Sequence, residues 1–283
     1  DVQNTFCIPG FELFVAGPSG SGAVDDNRRL VSWLYRNLDQ ISGITLTMDT
    51  HNPLQIFHPL FLVDQDGNHP DPGSQISLGE VQQGVWKVNP AAAAYLGYSP
   101  EVLNRYLERY VRELEEMEKY QLTIWPYHAM LGGIGHALVS GVEEAVFFHS
   151  AARNTAPDII QKGFNPFTEA YSAVGPEILI GPGGEQVGRK STRLLEKLKN
   201  VDQMVITGQA KSHCVAFTIQ DLLQQIQAED PGLSEKIFLL EDCTSPVVIP
   251  GVMDFSSLAD RAFQDFQEAG MQLISSEMML GQD

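Results

Sequence analysis

Short apolar runs alternate with helical patterns along most of the chain. Ile44 to Met48, Met204 to Thr207, Ile237 to Leu240 and Met271 to Ile274 are apolar and short, which predicts buried strands. Asn27 to Leu38, Arg193 to Leu198, Val215 to Ile226 and Leu258 to Ala269 carry the helical pattern between or beside them. Such alternation predicts an α/β fold of three layers, α/β/α, with a mainly parallel central sheet covered by helices on both faces. Ligand sites in open sheets of this kind gather at the carboxyl ends of the strands, so the loops there are where chemistry is sought.

Two neighbouring stretches differ in texture from the rest. Val63 to Gly79 is rich in Gly, Pro and Asp. From Tyr98 to Tyr120, Ser99 and Pro100 supply a helix start, and Leu103, Tyr106, Leu107, Tyr110, Leu114 and Met117 recur at helical spacing. An inserted helical segment around 63–124 is therefore expected, acting as a lid over a pocket or as a subunit contact. There is no internal repeat, low-complexity tract or long linker, and the 283 residues read as a single domain, 1–283.

Composition narrows the function classes. At 43% apolar and 19% charged positions the chain can bury a full core. No run approaches the roughly 18 apolar residues of a membrane span, and the amino end lacks the layout of a signal peptide, so a cytoplasmic protein without a membrane partner is expected. The formal charge of -18 repels phosphate backbones, which argues against nucleic acid as a partner. Cys7, Cys214 and Cys243 are an odd, sparse set that argues against a disulfide framework and for free thiols in a reducing compartment.

Chemistry-bearing residues concentrate in two places. In MDTHNPLQIFHP, Asp49 closes the apolar run and His51 and His58 follow, a mixture of carboxylate and imidazole that suits a divalent metal ion. His128, in WPYH, is a candidate fourth ligand. An isolated histidine is more often structural, so this set gains weight only from its company. In VITGQAKSHCVAFTIQDLL, a short strand and a turn containing Gly208 place Cys214 at the start of a helix, where unpaired N–H groups and the helix dipole lower a thiol pKa and offer an oxyanion site. A small buried hydrophobe is the plainer reading of a single cysteine.

Taken in order, DVQNTF at Asp1, MDTHNPLQIFHP, WPYH, QKGFNPFTEAYSAV and ITGQAKSHCVAFT resemble the nicotinamidase-like branch of the isochorismatase-like cysteine hydrolases. The resemblance covers most of the chain and implies the isochorismatase-like hydrolase fold. It implies a catalytic triad of Asp1, Lys162 and Cys214, an oxyanion hole from the backbone N–H groups of Ala210 and Cys214 beside a cis peptide at Gln209–Ala210, and aromatic substrate walls at Phe6, Trp125 and Tyr171. It further implies one divalent metal ion (Zn, Fe or Mn) on Asp49, His51, His58 and His128, anchoring the substrate while the triad breaks the bond. The implied reaction is hydrolysis of a small carboxamide, nicotinamide first among them, to acid and ammonia through a thioester, by a protein expected to be a homo-oligomer.

Several features depart from that branch. Its aspartate ends a central strand, so residues upstream of Asp1 are expected in a chain of this kind. The segment between His58 and His128 is longer than in compact nicotinamidases, and Ala129 stands where they commonly carry a Cys. His149 and Arg153 lie one turn apart on a helical stretch before Lys162 and read as a solvated or interhelical pair. These differences bear on the substrate more than on the reaction. Two other readings stay open here: a hydrolase of another amide, carbamoyl or ureido compound, and a catalytically silent member that binds a metal or ligand.

Overall fold

The computed structural model describes residues 1–249 and 251–281. The strands that matter for the site are β1 (Thr45–Asp49), β2 (Asp158–Lys162), β3 (Met204–Ile206), β4 (Ile237–Leu240) and β5 (Gln272–Ile274). β1 pairs in parallel with β2, and β3, β4 and β5 form a parallel ladder in the order β5-β4-β3. β2 is the strand that the apolar pattern does not predict. Its residues alternate toward solvent, with Ile159 52% exposed, so it lacks the run of apolar side chains that marks the buried strands.

The longer helices are α1 (Gly22–Arg36), α2 (Pro100–Met117), α3 (Ser140–Arg153), α4 (Arg193–Lys199), α5 (Ala216–Glu229) and α6 (Ser256–Glu268). α1 begins at Gly22, ahead of the expected Asn27, because Gly22 and Ala23 are buried at its first turn despite a weak helical signal.

Successive side chains of a strand point to opposite faces, and β4 shows how that builds three layers. Phe238 and Leu240 join a core cluster with Leu30 and Trp33 of α1 and Val142 and Val146 of α3. Ile237 and Leu239 join a second cluster with Leu195 and Leu198 of α4, Ile219 and Leu222 of α5 and Phe263 and Phe266 of α6. All four β4 residues are buried, which is why that strand reads as an unbroken apolar run. Between β1 and β3 lies a cavity of about 1190 Å³, lined by Leu46, Thr47, Val205 and Ile206 of those strands and reached by Asp1 and Cys214.

Residues of the 63–124 insertion are buried in a third core cluster. Ser99 caps α2 by accepting from the Val102 N–H, with Pro100 at the first helical position, as its sequence predicts. Leu103, Leu107, Tyr110 and Leu114 of α2 are then buried with Phe57, Phe61, Ile124, Trp125, Phe167 and Tyr171. The insertion also carries short strands and helices, including Leu78–Gln83 behind a Ser77–Glu80 capping box. No helix among the described residues is long and apolar enough to cross a membrane.

Candidate active site

Parallel pairing brings Asp49 and Lys162 to the same level, as register partners at the carboxyl ends of β1 and β2. Lys162 Nζ is the hub of the site. It lies 3.0 Å from Asp49 Oδ1, 3.0 Å from Asp1 Oδ2 and 3.4 Å from Cys214 Sγ, and it donates to the Ala170 carbonyl at 3.2 Å. Its contact with Asp1 is a close charge pair rather than an aligned hydrogen bond, since neither Asp1 carboxylate oxygen has a directed partner. Asp1, Lys162 and Cys214 are thus brought together from segments far apart in sequence.

Burial by itself would discharge Lys162, but the charge of Asp49 and the neighbouring Cys214 outweigh it and its pKa is raised. Cys214 departs from the expected lowered thiol pKa. Its pKa is raised, because desolvation by burial and the Asp49 charge exceed the opposing effect of Lys162. Nor does Cys214 open the α-helix itself: it lies in a π-helical turn, Lys211–Val215, that precedes α5. In that turn the Ala210 carbonyl accepts from both the His213 and Val215 N–H groups. The Gln209–Ala210 peptide is cis.

Next to the lysine hub, Asp49 Oδ2 lies 2.9 Å from His51 Nε2 and 3.5 Å from His128 Nε2. The ligand atoms of Asp49, His51 and His128 all fall within 4.8 Å of one another. Each histidine is oriented through its other nitrogen: His51 Nδ1 donates to Gly163 O at 3.0 Å, His58 Nδ1 to Asn52 O at 3.0 Å and His128 Nδ1 to Pro126 O at 2.7 Å. A carbonyl only accepts, so each Nδ1 carries a proton and Nε2 is the atom each ring can present to an ion. This donor set fits a divalent ion. His58 stands a step back, its ring centroid 5.7 Å from those of His51 and His128, with Nε2 buried and unpartnered. Burial and the neighbouring rings of His128 and His51 push its pKa down to about 3, which keeps it neutral.

Backbone fit secures this arrangement. Gly163 has φ +80, and a Cβ there would stand 2.6 Å from His51 Cε1 and 2.9 Å from Asp49 Oδ1, so only glycine can follow Lys162. Gln3, a residue of the DVQ element without an assigned role in the sequence, accepts from the Asp49 N–H at 2.7 Å and donates to the Asp49 and His136 carbonyls, each at 2.9 Å.

The aromatic residues fall into two groups. Phe6 meets the His128 ring edge-on at 5.8 Å and so belongs to the histidine side. Trp125 and Tyr171 lie on the thiol side, where Trp125 Nε1 donates to the Tyr171 hydroxyl at 2.8 Å and Cys214 packs against their cluster. His213 completes that wall, 5.7 Å from Trp125 and 5.4 Å from Tyr171 between ring centroids. In the sequence only its place beside Cys214 points to His213. Burial pushes its pKa down to about 4, so it packs as a neutral ring. Glu169 is buried nearby, and burial drives its carboxyl up to about 8.

His149 and Arg153 lie away from all of this and are not a solvated pair. His149 is buried with Nε2 bonded to Ile41 O at 2.9 Å, and Arg153 donates to Asp39 O at 2.7 Å, so both tie α3 to the loop after α1.

No protein-family model matches the chain. It is 25% identical over 229 residues to the nicotinamidase of Escherichia coli (strain K12), across 79% of this chain and 74% of that protein. Its structure is similar to that of the yeast nicotinamidase bound to the inhibitor nicotinaldehyde, with a TM-score of 0.58 at 17% identity over 97% of this chain and 96% of that one. It is also similar to a nicotinamidase–pyrazinamidase of Acinetobacter baumanii, with a TM-score of 0.53 at 19% identity over 98% of this chain and 93% of that one. The likeness to these solved structures runs over nearly the whole chain and shows that it has their fold.

Proposed function

We propose that this chain, nicotinamidase-like in sequence and in fold, is a cysteine amidohydrolase that cleaves a small carboxamide such as nicotinamide to the acid and ammonia. The observation that carries the reading is the Lys162 ammonium in contact with Asp1, Asp49 and Cys214 beside the Asp49, His51 and His128 donor set.

Because burial raises the Cys214 thiol pKa, the sulfur needs a base at the moment of attack rather than a standing thiolate. Asp1 has carboxylate lone pairs without directed partners and serves as that base, while Lys162 holds the developing negative charge close to both groups. The thiolate adds to the amide carbon, and the backbone N–H groups of Ala210 and Cys214 receive the oxyanion. Asp1 returns the proton to the leaving nitrogen, ammonia departs, and water then hydrolyses the thioester. Asp49, His51 and His128, with His58 behind them, would hold one divalent ion, Zn, Fe or Mn, whose positive charge anchors a ring nitrogen or polarises a water. Phe6 on the histidine side and Trp125, Tyr171 and His213 on the thiol side would wall the ring of the substrate.

Ammonia release from nicotinamide tests this directly. Activity in the wild type and its loss by at least about 10³-fold in Cys214→Ala is the expected result. Turnover undiminished by that substitution would sink the nucleophile assignment.

A further inference from the structure

Two buried polar side chains that take no part in the chemistry above meet at the start of the turn that carries Cys214. Asp26 of α1 is 2% exposed, and Gln209, in the loop after β3, is 1% exposed. Gln209 Nε2 donates to Asp26 Oδ2 at 2.8 Å, and Gln209 Oε1 accepts from the Ser245 N–H at 3.3 Å. Asp26 Oδ1 in turn accepts from Arg29 Nη2 at 2.8 Å. A carboxylate only accepts, so Asp26 fixes which end of the Gln209 amide faces it and leaves the amide oxygen to Ser245. Two apolar residues would fill the same buried space at lower cost, so packing does not explain the pair.

The pair bears on one peptide. The Lys211 N–H donates to the Ser245 carbonyl at 2.8 Å, so the residues on either side of Ala210 are both tied to Ser245, one by side chain and one by backbone. Thr207 Oγ1 donates to Cys243 O at 2.9 Å and Ser212 Oγ accepts from the Val247 N–H at 3.0 Å, which extends the tie in both directions. Ala210 between them is 5% exposed, and its carbonyl accepts from His213 and Val215. Among the described residues no backbone carbonyl accepts the Ala210 N–H. A buried N–H held in place in this way is a donor available to a ligand oxygen.

We propose that Asp26 is a positioning residue for the oxyanion of the amidase reaction: through Gln209 it fixes the Ala210 N–H that receives the charge. This role rests on the amidase reading above. Charge develops on the oxygen only as the sulfur adds, so a misplaced donor lowers kcat and leaves ground-state binding of the amide nearly unchanged.

The test follows nicotinamide turnover by the full chain and its inhibition by pyridine-3-carbaldehyde. Cys214 sulfur adds to the aldehyde carbon: the S–C bond forms, the C=O π pair moves to oxygen and Asp1 takes the thiol proton. Asp26→Leu, and Gln209→Glu, which sets two carboxylates against each other, should each lower kcat by about tenfold or more with KM within about threefold, and weaken aldehyde inhibition by about tenfold. Added to Cys214→Ala, either change should leave nicotinamide binding by calorimetry within about threefold of the parent. Asp26→Asn combined with Gln209→Glu exchanges donor and acceptor across the pair and should restore kcat to within about threefold of wild type. If Asp26→Leu does not fold, Gln209→Glu and the exchange variant carry the test, with about tenfold loss in the first and recovery in the second as the expected pair. A folded Asp26→Leu protein with wild-type kcat overturns the proposal, as does a loss that lies in KM, unchanged aldehyde inhibition, or an exchange variant no more active than Gln209→Glu. A wild type that releases no ammonia from nicotinamide would instead overturn the nicotinamide reading on which this role rests.

Discussion

Asp49 faces Lys162 across the end of the β1–β2 ladder and serves two groups at once, with Oδ1 3.0 Å from the lysine Nζ and Oδ2 2.9 Å from His51 Nε2. The donor set for a cation and the lysine hub therefore share one carboxylate. Burial would raise the pKa of this carboxyl, but His51 and Lys162 overcome that and hold it well below the ordinary range, so it stays charged. Perturbing either side should be felt on the other.

Replacing Lys162 with Met is expected to remove amidase activity by at least about 100-fold and to destabilise the fold by about 3–5 kcal/mol, because it leaves buried carboxylates without their cation. It should also move Cys214 alkylation to higher pH, since Lys162 is the group that lowers the thiol pKa against burial and Asp49. Iodoacetamide labelling followed by mass spectrometry across pH reads this; a profile unchanged from wild type would contradict the role given to the lysine.

Metal content separates the histidines by position. Elemental analysis of purified protein should find one divalent ion per chain. His51→Ala and His128→Ala should lose most of it, with affinity down by about 100-fold or more, whereas His58→Ala, whose ring stands outside the tight group, should lose less. Equal loss in all three would place His58 in the primary ligand set. A metal-free wild type that still turns over nicotinamide would remove the ion from the reaction.

Stability should fall in acid partly through His213. Its pKa is about 4 in the folded protein against about 6.5 unfolded, so between those values the unfolded chain binds the extra proton and the folded one does not. The stability present above pH ~6.5 is lost as pH falls toward 4. Thermal midpoints measured from pH 7 to pH 4 should decline, and His213→Phe should decline less steeply. Parallel curves for the two proteins would exclude this contribution.

Truncation of the insertion's own core tests whether it is part of the fold. Leu114 of α2 is fully buried, and Leu114→Ala should cost about 2–5 kcal/mol in a urea unfolding titration, the loss of a core residue. A lid that opens freely would show less than about 0.5 kcal/mol.

Elements whose signal is local were legible in the residues alone. β4 was legible because both faces of the strand are covered, so every residue in Ile237–Leu240 had to be apolar. α2 was legible from Ser99, Pro100 and its helical stripe, because capping and periodicity are properties of neighbouring residues. The candidate nucleophile, donor set and lysine were visible as motifs, through resemblance more than through spacing. Tertiary structure decided the rest. β2 escaped notice because a strand partly open to solvent need not be apolar, although it carries Lys162. The direction of the Cys214 pKa turned on burial and on Asp49, a residue distant in the chain, rather than on the helix start beside it. His213 became part of the site only once folding set Trp125 and Tyr171 against it. Local order follows from which side chains are neighbours in sequence, whereas charge and reactivity follow from which groups share a buried volume, and only the fold assembles that volume.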